Sequence, residues 1–273
     1  MTPGNRWPIR LAAFMAGLVS IAAVVTGSAV AEPQVLVVLQ MNLCASGFAG
    51  CYTGRSVQQA ATLIRTYAPD VVTVNEICRN DIAALQAALR AASPGATVAG
   101  AFQAVPAGRT GRATQCRDGQ DYGIGVVARF AHPTQTPEFH GSPYPMQSSG
   151  HPEQRVWLCV RAQGRFVVCT THLALDASTA SAQCGYLLGT AVPSLRAGPA
   201  KPVGAVISGD FNLPYDGNAG LRGCTPPGYL SRTDGGLQHM LATTDFTVLA
   251  STRIDMAGTT DHPALLSTVV RRL

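Results

Sequence analysis

Asp210 and Asn212 are the residues of this chain whose types and spacing most clearly suggest chemistry. They follow an apolar run at 203–208 that predicts a buried strand. Because residues two apart in extended backbone project to the same side, the pair would present a carboxylate and a carboxamide together. Such a pair can hold a hard cation and orient a water molecule or a phosphate oxygen. The same residue types also form ordinary turns after strands, so the interpretation depends on what else the chain supplies.

Polar residues also stand at the ends of four other predicted strands. Asn42 ends the first strand, Glu76 ends the second, His172 ends the return strand of a hairpin, and Asp261 and His262 precede the last strand. Functional sites in layered α/β proteins are assembled where strands end, so we expect these side chains to lie together. Each has an ordinary alternative when taken singly. Glu76 would be an acid near a helix N-terminus, and each histidine would be a buried structural residue.

The order of the predicted elements indicates a layered fold of strands and helices. Apolar spacing and β-branched runs predict helices at 56–67, 81–92, 177–191 and 236–242, and strands at 35–42, 70–74, 123–129, 156–160, 166–170, 203–208, 246–250 and 264–270. An early β-α-β alternation gives way to hairpin-like strands. This pattern predicts an α/β (α+β) fold in which two sheets pack as a sandwich with helices outside.

The first 31 residues have the features of a secretory signal peptide. Two arginines form a basic start, an uncharged apolar stretch follows, and Ala29-Val30-Ala31 is a small-residue cleavage site. We therefore expect cleavage after Ala31, a secreted, extracellular protein, and a single domain over residues 32–273. The alternative is an uncleaved membrane anchor. The net charge of +5 is too small to indicate nucleic-acid binding by itself.

All eight cysteines follow the predicted leader, which indicates disulfides formed in an oxidising compartment. No pair has the C-x-x-C spacing of a zinc site. A hairpin turn at 162–164 would set Cys159 opposite Cys169, and Cys44 is close enough to Cys51 to close a small loop. The predicted set is Cys44–Cys51, Cys78–Cys116, Cys159–Cys169 and Cys184–Cys224. The alternative is that some of the cysteines are reduced and simply buried.

Five short motifs, in this order along the chain, resemble the endonuclease/exonuclease/phosphatase superfamily. They are Q-M-N-L at 40–43, V-N-E at 74–76, T-T-H-L at 170–173, G-D-F-N at 209–212 and T-D-H-P at 260–263. The resemblance covers nearly all of residues 35–270. It implies a four-layer sandwich of two mixed β-sheets flanked by helices. It also implies a metal-dependent hydrolase of phosphate esters, with Mg²⁺ as the expected ion and Mn²⁺ or Ca²⁺ as alternatives.

The resemblance assigns roles to the motif residues. Glu76 is the expected metal ligand, and Asn42 and Asp261 are placed with it. Asp210 would accept a proton from the attacking water or orient it, and Asn212 would hold that water or a phosphoryl oxygen. His262 would act as a base or a phosphate ligand. His172 would be a phosphate contact or a general acid for the leaving group.

Two further residues are predicted to support the site, and one position departs from the family pattern. Arg155 would bind the substrate phosphate through its guanidinium fork, with a solvated strand-end arginine as the alternative. Asp245 would orient the catalytic histidine from behind, or else form a turn. Ile124 stands where the family usually has asparagine. Among the remaining histidines, His151 is the one expected near the site because it lies in the loop before Arg155.

The arginine- and glycine-rich segment 104–121 has two interpretations. Its arginines, Arg109, Arg112 and Arg117, could contact a phosphate backbone. The alternative is an ordinary solvated loop.

The leading functional hypothesis is a secreted, monomeric, metal-dependent phosphodiesterase, specifically a nuclease acting on DNA. A phospholipid phosphodiesterase or phosphatase, of the sphingomyelinase or phosphoinositide-phosphatase kind, is the alternative. A third possibility is a catalytically silent binding or toxin-like subunit. The presence of every acidic and histidine residue of the motifs argues against that third possibility.

Overall fold

The computed structural model describes residue 1 and residues 34–108, 110–130, 137–162, 165–197, 202–217 and 219–272. Apart from Met1, the predicted signal peptide lies outside the described residues. Arg109 of the arginine-rich segment and residues 163–164 of the predicted hairpin turn also lie outside them.

The described chain forms two six-stranded sheets and a small number of helices. The strands are β1 (Val35–Asn42), β2 (Val71–Cys78), β3 (Thr97–Ala104), β4 (Tyr122–Phe130), β5 (Glu138–Pro143), β6 (Val156–Ala162), β7 (Phe166–His172), β8 (Gly204–Asp210), β9 (Tyr229–Thr233), β10 (Gln238–Thr243), β11 (Phe246–Ile254) and β12 (Ala264–Arg271). The helices are α1 (Ser56–Tyr67), α2 (Asp81–Ala92), α3 (Ala177–Tyr186), α4 (Val192–Arg196) and α5 (Leu221–Cys224), with a π-helical turn at Leu187–Ala191 between α3 and α4.

The two sheets have the same plan, with a parallel pair at the centre of each. The first sheet has the order β11-β12-β1-β2-β4-β3, and β1 and β2 are its parallel pair. The second has the order β5-β6-β7-β8-β10-β9, and β7 and β8 are its parallel pair. The carboxyl ends of parallel neighbours lie at the same edge of a sheet. The ends of these four strands therefore carry the side chains that each sheet offers to a site.

Three apolar clusters hold the layers together. One lies between the sheets and includes Val38, Val126 and Val168. A second packs α1 and α2 on the outer face of the first sheet, and a third packs α3 on the outer face of the second. Helix, sheet, sheet and helix thus form the four-layer α/β sandwich that the sequence predicts. At about 25 cal/mol per Å² of buried apolar surface, these layers supply most of the driving force for folding.

The predicted elements agree with the structure except in one segment, and strands β3, β5 and β9 were not predicted. Residues 236–242 were expected to form a helix, but they contribute to strand β10, which pairs with β8 and β9. Its six residues are all buried, although Gln238, His239 and Thr243 are polar, so the segment lacks the alternation that marks a strand. Pairing on both sides decides the outcome here, because it satisfies backbone groups that a buried segment must satisfy.

Four disulfides are present, in the pairing predicted. They are Cys44–Cys51, Cys78–Cys116, Cys159–Cys169 and Cys184–Cys224. Cys159 and Cys169 face each other in the β6–β7 register, as the hairpin required. Such a set is typical of proteins that mature in an oxidising compartment. Within the described part of the chain, no helix combines the length and hydropathy needed to span a bilayer.

Candidate active site

The predicted site residues come from the ends of the two central parallel pairs. Asn42 is the last residue of β1, His172 the last of β7 and Asp210 the last of β8. The register pairs His172 with Asp210 across the second sheet. In the first sheet, Asn42 pairs with Asn75, which is the residue before Glu76. The sandwich therefore brings these side chains to one edge.

A β-bulge in β2 turns Glu76 into the site. The pairing of β2 with β4 shifts between Val74 and Ile77, and Glu76 has a φ of +54°. Asn212, just after β8, has a φ of +48°. A residue with a Cβ is strained in this region by about 1 kcal/mol or more. Such strain persists where surrounding contacts hold the backbone, and here it occurs at two of the predicted site residues.

Asn42 joins the two central carboxylates. Its Nδ2 donates to Glu76 Oε1 at 2.8 Å and to Asp210 Oδ2 at 3.0 Å, and its Oδ1 accepts the amide of Cys44 at 3.1 Å. The three partners fix the orientation of the carboxamide, because a flipped amide would set two donors against each other. Asn42 was expected among the metal ligands. Its carboxamide oxygen accepts the Cys44 amide and keeps a second lone pair, so Asn42 holds Glu76 and Asp210 together and its role as a metal ligand stays a prediction.

Asp210 is buried, and both its carboxylate and its backbone amide are hydrogen-bonded. Its Oδ1 accepts the amide of Asn212 at 3.1 Å, and its own amide donates to Asn75 Oδ1 at 2.9 Å. Asn75 also donates to the carbonyl of Thr171 at 2.9 Å, which joins the two sheets beneath the site. Sequence reasoning did not identify Asn75 as a supporting residue. Its place beside Glu76 in the V-N-E motif was the available signal.

The two histidines lie against different carboxylates. His172 Nε2 is 3.9 Å from Glu76 Oε1, whereas His262 Nε2 is 3.6 Å from Asp210 Oδ2 and 3.7 Å from Asp261 Oδ1. Burial, followed by the positive charge of Arg155, holds the pKa of His172 well below its usual range. His172 is therefore a neutral imidazole at neutral pH. His262 and Asp261 are more open to solvent, with Asp261 58% exposed at its side chain.

The Asp261–His262 segment is fastened to both sheets. Thr260 Oγ1 donates to the carbonyl of Asn42 at 3.2 Å. Gln238, which pairs with Asp210 in the β8–β10 register, donates from Nε2 to the carbonyl of Pro263. Gln238 is a supporting residue that the sequence did not reveal, because the segment around it was predicted to be a helix.

Arg155 is buried beside the site with Glu153 as its partner. Its Nη1 lies 2.7 Å from Glu153 Oε1, in a close ion pair that is not aligned as a hydrogen bond. His151 Nδ1 lies 3.0 Å from the carbonyl of Glu153, so the loop before β6 folds back on itself. Glu153 was also missed, although its position two residues before Arg155 places both on one side of extended backbone.

Two positions singled out from the sequence, Asp245 and Ile124, do not lie with the other site residues. The carboxylate of Asp245 binds the Arg196 guanidinium and Thr243 Oγ1. The register of β8 with β10 puts this group at the opposite end of β8 from Asp210. Asp245 is therefore not the residue that supports His262. Ile124 is fully buried in the cluster between the sheets, so the departure from the family pattern adds to the core.

The donor set suits a divalent cation with oxygen ligands. Burial is the main cause that raises the pKa of Glu76, and the nearby carboxylates of Glu153 and Asp210 raise it further. The Asn42 hydrogen bond only partly offsets this effect. Carboxylate oxygens are the ligands of Mg²⁺, Mn²⁺ and Ca²⁺, and Glu76, Asp210 and Asp261 offer them.

Comparison with known families agrees with this geometry. Residues 41–262 match the model of the Endonuclease/Exonuclease/phosphatase family. The chain belongs to this family and is a phosphoric ester hydrolase. Enzymes of the family are generally dependent on divalent metals. A sequence search of curated proteins finds no match.

Solved structures share the fold at low sequence identity. An endonuclease/exonuclease/phosphatase from Beutenbergia cavernae is 19% identical with a TM-score of 0.61, and covers 87% of this chain and 72% of its own. The human Nocturnin catalytic domain with bound sulfate is 15% identical with a TM-score of 0.64, over 88% and 97%. D. rerio TDP2 complexed with single-strand DNA product is 13% identical with a TM-score of 0.56, over 86% and 98%. At these identities the likeness establishes the fold.

Proposed function

We propose that the protein is a secreted, monomeric, Mg²⁺-dependent phosphodiesterase of the deoxyribonuclease type, which hydrolyses DNA. The observation that carries this proposal is the clamp in which Asn42 holds Glu76 and Asp210 together between two histidines. This arrangement supplies cation ligands, a proton acceptor and phosphate contacts within one small volume. Those are the groups that hydrolysis of a phosphodiester requires.

The cation would bind at Glu76, with Asp261 as a further ligand. When bound, Mg²⁺ supplies positive charge to the phosphoryl oxygens as negative charge develops on them. Asn42 serves this arrangement by fixing the direction of the Glu76 carboxylate.

Asp210 and Asn212 would prepare the attacking water. Asn212 uses its amide nitrogen and Nδ2 in hydrogen bonds to Asp210 Oδ1 and to the carbonyl of Leu173, at 3.1 Å and 2.9 Å. Its Oδ1 is left to accept a hydrogen bond from water. Asp210 Oδ2 would accept the proton that the water loses as its oxygen bonds to phosphorus, while the ester P–O bond breaks and the leaving oxygen takes a proton from solvent. His262, 3.6 Å from Asp210 Oδ2, would act as a base or hold the phosphate.

His172 would contact the phosphate as a neutral donor. The sequence left two roles open for this residue, phosphate contact and general acid. Burial favours the uncharged imidazole, which donates one hydrogen bond to a phosphoryl oxygen and is a weak source of protons. Arg155 adds positive charge behind it, and Glu153 fixes the position of the guanidinium.

Two observations support the substrate and the location. D. rerio TDP2, which shares the fold, was solved with a single-strand DNA product. Four disulfides suit a protein that matures outside the reducing cytoplasm, in agreement with the predicted leader.

The proposal is tested with purified protein spanning residues 32–273. We expect it to nick supercoiled plasmid DNA with Mg²⁺ and to stop when EDTA is added. His262→Ala and Asp210→Ala are each expected to lower the rate by about a hundredfold or more, with nearly unchanged thermal unfolding. Cleavage of sphingomyelin or a phosphoinositide with none of DNA or RNA would contradict the nuclease proposal. Activity that survives both substitutions would contradict the site.

A further inference from the structure

Phe48 is a large aromatic side chain exposed beside the site. It lies in the loop that follows β1, six residues after Asn42, and its side chain is 66% exposed. Isolated exposed apolar residues are common, so exposure alone has no functional meaning. The way in which this loop is built is what distinguishes Phe48.

The Phe48 loop is braced against a second loop. The disulfide Cys44–Cys51 closes it, and the amide of Arg117 donates to the carbonyl of Ser46 at 2.8 Å. Arg117 directly follows Cys116, whose disulfide to Cys78 anchors the second loop to the end of β2. Gly47 has a φ of +85°, and a Cβ at that position would lie 2.7 Å from Arg117 Cβ. Glycine is therefore required for this contact, and Phe48 is presented in a defined position.

The guanidinium of Arg117 covers one face of the Phe48 ring. Its Cζ lies 5.4 Å from the ring centroid, which is the distance of a cation–π contact. Because Phe48 as a residue is 66% exposed, the other face of its ring is open to a ligand. The two side chains together offer a flat apolar surface with a positive charge on its covered face.

Phe48 lines a cleft that also reaches Glu76, the expected metal ligand. The cleft has a volume of about 340 Å³ and is lined by Phe48, Thr114, Gln115, Tyr122, Glu153 and Glu76. A chain bound with a phosphate at the site would pass Phe48 as it leaves the cleft. The polar lining of Thr114 and Gln115 suits a nucleotide better than an acyl chain.

We propose that Phe48 and Arg117 form a nucleotide subsite, in which a base next to the scissile phosphodiester stacks on the open face of Phe48 and Arg117 contacts its phosphate. The inference rests on the proposed nuclease function and specifies the substrate as a strand with unpaired bases. Base–aromatic stacking is tolerant of sequence, so we expect little base preference. A membrane contact is the less favoured reading, because Phe48 is flanked by Gly47 and Ala49, and a guanidinium covers its ring.

The subsite is tested with single-stranded DNA oligonucleotides from which one base at a time has been removed. For the wild type, an abasic position at a fixed distance from a phosphodiester is expected to lower kcat/KM for cleavage there by roughly 5- to 150-fold. Phe48→Ala is expected to show a loss of similar size on the intact oligonucleotide and no further loss at the abasic position. Phe48→Trp is expected to keep the wild-type pattern, and Phe48→Leu to behave like Phe48→Ala.

Two controls separate stacking from other causes. An oligonucleotide made wholly of abasic residues is expected to be cleaved equally by wild type and Phe48→Ala. Tyr67→Ala, which removes an exposed aromatic ring at the end of α1, is expected to leave all rates unchanged. Full activity and full abasic discrimination in Phe48→Ala would overturn the subsite. So would a pattern in which Phe48→Ala, but not Phe48→Leu, loses turnover on sphingomyelin vesicles.

Binding distinguishes failure of the subsite from failure of the proposed function. Anisotropy of a labelled oligonucleotide, measured in EDTA, is expected to show a Kd that rises for Phe48→Ala by a similar factor. If the wild type cleaves no nucleic acid but its binding depends on Phe48, the nuclease proposal is wrong and the subsite stands. If it neither cleaves nor binds, both are wrong.

Discussion

At the scale of single residues, the two histidines of the site differ in environment. His172 is 7% exposed and lies behind Glu76, whereas His262 lies at the surface beside Asp210 and Asp261. The sequence identifies both histidines as site residues but does not predict their difference in exposure, because burial depends on which loops cover each strand end. The difference supports the neutral donor role proposed for His172, with proton transfer proposed for Asp210 and a base or phosphate contact for His262.

The lowered pKa of His172 predicts how stability depends on pH. Because its pKa is lower in the folded state than its ordinary value of 6.5, the unfolded chain binds more protons just below that pH. The contribution of His172 to stability is then complete above about pH 6.5 and is lost as the pH falls, by at most about 1.4 kcal/mol per pH unit. In EDTA, the stability of His172→Gln is expected to fall less than that of the wild type between pH 7.5 and 5.5.

Urea unfolding at each pH measures this difference. Equal slopes for His172→Gln and the wild type would show that His172 is not held neutral by the fold.

At the scale of elements, the bulge in β2 interrupts regular strand pairing at the point where Glu76 is placed in the site. Regular pairing would continue through Val74 to Ile77 and would alternate side chains between the two faces. The bulge instead gives Glu76 a positive φ and brings its carboxylate to Asn42. The strand is thus locally strained at Glu76, and this conformation places the Glu76 carboxylate in the site.

Substitutions at Glu76 test this strain directly. Alanine and glycine both remove the carboxylate, but only glycine adopts a φ of +54° without a Cβ penalty. We therefore expect Glu76→Gly to be more stable than Glu76→Ala by about 1 kcal/mol, the reverse of the order in regular strands. Val74, in regular pairing two residues earlier, supplies the control, and Val74→Gly should be less stable than Val74→Ala. The free energy of unfolding of the four variants gives both differences, and the same order at both positions would contradict the strain.

How well each element was predicted from the sequence depended on its position in the sheets. The central strands and the two long helices have strong apolar patterns, and α1 and α2 match their predicted bounds. The strands that were missed, β3, β5 and β9, are edge strands. Edge strands are short, polar or rich in small residues, so their pattern is weak. β10 was assigned as a helix because its burial on both sides removes the alternation that marks a strand.

The site was predicted in the same uneven way. Motif residues at the ends of central strands were found, because their types and order are visible in the chain. Asn75 and Gln238 were not found, since their importance comes from hydrogen bonds made across the fold. Glu153 was missed although its ion-pair partner Arg155 lies only two residues away. Asp245 failed for a related reason. Its sequence context does not reveal which end of β8 it will face.

At the scale of the whole molecule, a buried polar network joins the sheets under the site. Gln40 donates to Asn75 Oδ1 at 2.7 Å and to Gln238 Oε1 at 3.2 Å, and Thr73 lies 2.8 Å from Ser208 between their hydroxyl oxygens. Apolar packing alone tolerates small slips of one sheet on the other. A satisfied polar network has one favourable register, and this register sets Asn42 and Glu76 of one sheet against Asp210 and His172 of the other.

The four disulfides predict unequal contributions to the stability of the molecule. In the chain-entropy model, a crosslink stabilises more when it closes a longer loop. Cys78–Cys116 spans 38 residues and Cys44–Cys51 only 7. Replacing the first pair with alanines is expected to lower the free energy of unfolding by about 1.5 kcal/mol more than replacing the second.

Urea unfolding of the two double variants, each with its other disulfides intact, measures this ordering. The Cys44–Cys51 disulfide closes the loop that carries Phe48. Its removal is therefore expected to reduce cleavage of single-stranded oligonucleotides even though it lowers the free energy of unfolding only modestly. Cys159–Cys169 supplies the control for activity. Its separation of 10 residues is similar, but it lies within the β6–β7 hairpin away from the Phe48 loop. Removal of that pair should leave cleavage nearly unchanged. A greater loss of stability from the short loop than from the long one would show that native contacts, and not loop closure, set the value of each bond.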